Sequence, residues 1–149
     1  MKKDHSFLFS PKKWLGEGKI KLSMVEEELD FFTRWNLGAL DQGGKIPASQ
    51  EVQIKGMNEI MHNQFLITDL TSSHFNLELE NAALGTIIGK GIIKENLIAW
   101  EFRHSELGFE GFEFYERQPD GTYLVRAEYA TPDQYRTIIQ GKIWEKIST

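Results

Sequence analysis

At 149 residues the chain is about one domain long, and its 40% hydrophobic and 26% charged residues exclude an intrinsically disordered protein. The formal net charge of −5, with lysines and arginines scattered singly or in short pairs, excludes the cationic stripe that a nucleic-acid backbone requires. There is no cysteine, so disulfides, thiolate metal sites and cysteine nucleophiles are excluded together.

The opening residues, MKKDHSFLFSPKK, are basic, but their apolar run is only Phe7–Phe9, short of the about 7–15 residues of a secretory segment. No run reaches the ~18 apolar residues of a membrane span. Residues 1–11 therefore read as an N-terminal extension to a single domain over 1–149, and the expected location is cytoplasmic. From Trp14 onward two-residue alternation dominates and helical spacing is almost absent. The first predicted strand, Trp14 to Met24, holds Trp14, Gly16, Gly18, Ile20 and Leu22 in one register. EEELDFFTRWNL follows, with Leu29, Phe31, Thr33, Trp35 and Leu37 on one face. GALDQGGKIPAS, Gly38 to Ser49, reads as a long flexible loop, either a functional rim or a plain surface connection. SQEVQIKG then alternates Val52 and Ile54 against Glu51, Gln53 and Lys55. EIMHNQFLIT is apolar on both faces for part of its length, which leaves its orientation open. HFNLELEN sets Phe75, Leu77 and Leu79 against Asn76, Glu78 and Glu80.

GTIIGKGII and LIAWEFRH are joined by Lys94–Asn96, and Ile98, Trp100, Phe102 and His104 share a face. FEGFEFYERQ runs into the turn signal Pro119–Gly121. TYLVRAEYAT places Tyr123, Val125, Ala127 and Tyr129 on one side, and RTIIQGKIWEKI closes the series. About ten strands at roughly 10–12-residue spacing predict an all-β fold. Short sequential turns favour an up-and-down antiparallel meander, which removes its two edges by closing into a barrel. A barrel of this strand number has room inside for one small ligand.

The W-L-G-E-G stretch, Trp14–Gly18, at the start of such a meander resembles the first strand of nitrobindin-like barrels. With the QEVQI strand, Gln50–Ile54, and the strand order over nearly the whole chain, it points to the calycin-like group of lipocalins, fatty-acid-binding proteins and nitrobindins. The interval from Met24 to Leu29 leaves no room for the helical lid of fatty-acid-binding proteins, and the chain ends within its last predicted strand, without the helix that follows lipocalin barrels. The resemblance is therefore nearest the nitrobindin-like type. Haem binding in that type relies on a histidine near the last strand, whereas residues 105–149 contain none and the histidines are His5, His62, His74 and His104. Haem is accordingly disfavoured and no cofactor is expected.

The candidate ligand-binding residues are Trp35, Gln50, His62, Trp100, Phe102, His104 and Tyr129. Trp35 and Trp100 lie on inward faces, where core packing and cavity lining are both open readings. His104 continues the face of Trp100 and Phe102, either as a polar group in the cavity mouth or as a solvent-facing strand end. A slip of one residue would exchange His62 for Asn63. Gln50 and Tyr129 share inward registers and would orient a ligand. Trp14 is expected to pack across the closed end. Arg126 and Tyr129, three apart, miss the two-residue spacing by which fatty-acid-binding proteins hold a carboxylate. No metal-ligand spacing, nucleophile elbow or phosphate loop appears.

These features predict a non-enzymatic barrel that binds a small apolar or amphipathic, lipid-like molecule. One alternative is an isomerase, cyclase or lyase on the same barrel, built on a convergent set such as His62, His104 and Tyr129. Another is an interaction scaffold, as a homodimer, which would expose a large apolar patch.

Overall fold

The alternation resolves into ten strands in a computed structural model that describes residues 5–23, 25–82, 85–104, 106, 108–130 and 136–147. In chain order they are β1 (Lys13–Leu22), β2 (Leu29–Leu37), β3 (Ile46–Ile54), β4 (Ile60–Thr68), β5 (His74–Asn81), β6 (Gly85–Lys94), β7 (Leu97–His104), β8 (Phe109–Arg117), β9 (Tyr123–Ala130) and β10 (Arg136–Glu145). Met24 and Thr131, predicted ends of the first and ninth strands, lie outside the described residues. Each strand pairs antiparallel with its sequence neighbour, and β1 pairs with β10, so the sheet is a closed up-and-down barrel. No helix long and apolar enough to cross a membrane occurs among the described residues.

The β1–β10 seam runs from Trp14 opposite Glu145 to Leu22 opposite Thr137, with Gly18 facing Gly141. A Cβ on Gly18 would stand 2.5 Å from Gly141 Cα, and one on Gly141 would stand 2.5 Å from Glu17 O. The two backbones approach too closely for side chains, and this pair of glycines is what lets the first and last strands meet.

Two segments differ from the sequence expectation. Gly38–Ser49 is an ordered hairpin, because β3 already starts at Ile46. Asp41 N donates to Lys45 O at 2.8 Å, and Asp41 Oδ1 accepts from Gly43 N and Lys45 N at 2.8 Å each, a turn capped by its own aspartate. Pro47 sits between the buried Ile46 and Ala48 and masks their alternation. The second segment, residues 5–10 of the expected extension, folds onto one end of the barrel. Phe7 and Leu8 are fully buried. The Phe7 ring lies 5.4 Å from both Trp14 and Trp35, and 4.9 Å from Tyr115. His5 Nε2 faces Lys94 O at 2.6 Å, so it carries the proton, since a carbonyl only accepts. His5 Nδ1 meets the Tyr123 hydroxyl at 2.7 Å. Aromatic burial thus closes this end, with Trp14 inside it.

The interior divides accordingly. A large aromatic cluster around Phe7, Trp14, Trp35, Trp100 and Tyr115 fills the closed end. A second, smaller cluster of Ile20, Phe31 and Ile54 lies apart from it.

Candidate functional site

A cavity of 240 Å³ touches both clusters. Trp35 and Tyr115 line it on the side of the aromatic cluster, and it reaches Ile20, Phe31 and the exposed Met61. Its aromatic floor is held by ring stacking. Trp35 stacks on Phe65 at 5.2 Å, and Tyr115 stacks on Trp100 at 4.8 Å. Most of the lining is apolar, with polar groups on two facing walls.

The first polar wall belongs to β2–β5. Asn81 Nδ2 donates to Asn63 Oδ1 at 3.1 Å, and Asn63 Nδ2 to Gln50 Oε1 at 3.0 Å. Gln50 Nε2 then donates to Thr33 Oγ1 at 3.1 Å, and Thr33 Oγ1 to the Glu51 carbonyl at 3.0 Å. The chain of donors crosses four strands in one direction, the Asn63 and Gln50 oxygens each accepting from the next strand. Such a belt holds polar side chains inside a barrel without leaving them unsatisfied.

The second polar wall lies half a turn around the ring, on β8 and β9. Here Glu113 is buried and lines the cavity. Tyr115 donates its hydroxyl to Glu113 Oε1 at 2.5 Å, and Tyr129 donates to Glu113 Oε2. Gly111 makes the second contact possible. A Cβ there would stand 2.6 Å from Tyr129 Cε1, so the ring lies over the glycine, stacked on Phe109 at 5.5 Å. Burial raises the proton affinity of Glu113 above the ordinary glutamate value, opposed by the hydroxyls of Tyr115 and Tyr129. The Trp100 indole adds a weaker opposing influence, although its Nε1 makes no hydrogen bond of normal geometry. Both tyrosines are pushed well above their usual range, by burial first and then by the neighbouring carboxylate, so they hold their protons and act as donors.

Of the candidate residues, Trp35, Gln50 and Tyr129 line the cavity together. Trp100 and Phe102 are buried, but Trp100 packs behind Tyr115 and neither borders the cavity. His62 is exposed on the outer face of β4, with Asn63 turned inward in its place. His104 is half-buried at the end of β7, opposite Phe109. The convergent set of His62, His104 and Tyr129 is therefore dispersed. None of the four histidines, all among the described residues, lines the cavity.

Glu113 escaped the sequence reading because FEGFEFYER carries aromatics on both faces of β8. A usable signal lay in the hairpin. Arg117 pairs with Tyr123 across the turn, which sets Tyr115, Glu113 and Gly111 opposite Val125, Ala127 and Tyr129. The clear inward face of β9 thus assigns the inward face of β8.

No protein-family model matches the chain, and no curated protein does. Among solved structures, an S-type phycobiliprotein lyase from Guillardia theta is similar, with a TM-score of 0.69 and 10% sequence identity. The match covers 94% of this chain and 90% of that one. At this identity the likeness is one of fold, a closed antiparallel barrel, and it does not distinguish a nitrobindin-like type.

Proposed function

We propose that the protein binds one small, largely apolar molecule in the barrel. The observation that carries this is the cavity of 240 Å³, floored by aromatic rings and supplied with few, mutually satisfied polar groups. A cavity of about 150 Å³ accommodates benzene, so this one suits a one- or two-ring body or a short acyl chain. Within the calycin-like barrels we read the chain as nearest the nitrobindin-like type, on the Trp14–Gly18 motif, as a statement about fold and not about haem. The test is fluorescence titration with a neutral two-ring naphthyl probe, 6-acetyl-2-dimethylaminonaphthalene, against the wild type and Val52→Trp, which fills the cavity from its lining. Binding by the wild type and its loss in a folded Val52→Trp protein are expected. Equal binding by both would place the probe elsewhere and overturn the proposal.

One observation favours a second reading, chemistry on the bound molecule. Glu113, with raised proton affinity and two tyrosine hydroxyls on it, is a proton-transfer set in an apolar cavity. A lyase is among the proteins that use this fold. Mass spectrometry of a co-purified ligand, before and after incubation, separates the readings: an unchanged ligand refutes chemistry.

A further inference from the structure

We infer that the cavity selects ligands carrying a cationic amine on an apolar body, with Glu113 as the group that recognises the amine. This rests on the proposed function and names its ligand class. Among the described residues Glu113 is the one buried carboxyl, and it borders the cavity. Among the described residues its hydrogen-bond partners are two hydroxyls, Tyr115 on Oε1 and Tyr129 on Oε2, and no ion pair with it occurs. Lys142 is the basic residue that borders the cavity, and its side chain is exposed. A buried carboxylate served only by neutral donors is an incomplete pair.

The remaining chemistry of the site fits the same ligand. An ionised carboxylate has about four acceptor sites, and two hydroxyls leave room for an ammonium. Tyr129 and Tyr115 line the same space, with Phe31, Phe65 and Trp35 also on the lining. Aromatic faces attract cations, and they repel the anionic headgroup of a fatty acid. Glu113 in the same wall does so more strongly. The amide belt on the facing wall is already engaged in its own chain of bonds, so it offers dipoles rather than a competing charge. A lipid-like carboxylate would place two negative groups in one apolar cavity, whereas an amine neutralises the one already there.

The experiment displaces the neutral naphthyl probe from the wild type with three molecules of one shape: 2-phenylethylamine, 2-phenylethanol and 3-phenylpropanoate. The amine should compete at a concentration at least about tenfold lower than the alcohol, the ratio expected for a hydrogen bond to a charged group. The carboxylate should be weakest. In Glu113→Gln the amine-to-alcohol ratio should fall toward one. Should that variant not fold, the wild-type ranking decides alone. Probe binding with no amine preference would overturn this inference and leave apolar binding standing. No probe binding at all would overturn apolar binding, and this inference with it.

Discussion

Replacing Gly18 with alanine tests whether close backbone approach closes the barrel. The new Cβ would sit 2.5 Å from Gly141 Cα and 2.9 Å from Gln140 C. Both are backbone atoms of the facing strand, so no rotamer change relieves the clash and β1 must part locally from β10. Overpacking of this kind costs about 1–3 kcal/mol, and each loosened ladder bond adds about 1 kcal/mol, for an expected total of about 3–4 kcal/mol. At this chain length that loss lowers Tm by roughly 6–16 °C. Gly43→Ala is the control, since its Cβ would meet only Asp41 Oδ1, at an ordinary 3.4 Å. Thermal and urea unfolding followed by far-ultraviolet circular dichroism measure both variants. If Gly18→Ala unfolds within about 0.5 kcal/mol of Gly43→Ala, the range of an inconsequential surface change, close approach at the seam does not hold the barrel shut.

Two further outcomes follow from the same structure. Folding raises the proton affinity of Glu113, so between its ordinary value of 4.5 and its folded value the native state binds more protons than the unfolded state. This contribution to stability is fully present below the ordinary value and is lost as pH rises through the folded one. Wild-type Tm should therefore fall relative to that of Glu113→Gln as pH is raised from 4 to 8, at about 1.4 kcal/mol for each tenfold change in proton affinity; parallel profiles would remove the argument. Phe7→Ala should cost about 3–5 kcal/mol, because Phe7 is fully buried among Trp14, Trp35 and Tyr115. Urea unfolding that left the midpoint unchanged would show that residues 5–10 do not close that end.

The barrel was legible because its evidence is local. Alternation in β2, β5, β7 and β9 assigns their inward faces without reference to any neighbour, and Trp35 and Tyr129 follow from it. Where both faces carry apolar groups, as in β4 and β8, local pattern cannot choose between them. There the pairing partner decides: β3 and β5 turn Asn63 inward and His62 outward, and β9 turns Glu113 inward. A proline between two buried residues hid the start of β3 in the same way.

By itself the sequence determined the strand count, the meander and the shared face of Gly16 and Gly18, since each depends on periodicity, whereas the Gly18–Gly141 seam came from the strand pairing. Only the tertiary structure decided which inward residues face empty space. Trp35 and Trp100 have equivalent local patterns, yet one floors the cavity and the other lies behind Tyr115. That difference arises from how neighbouring strands are staggered and how large the facing rings are, and neither is written in a single strand. The Tyr115–Glu113–Tyr129 group has the same origin. It exists because β8 and β9 pair in one register and Gly111 lets a tyrosine ring lie across the strand.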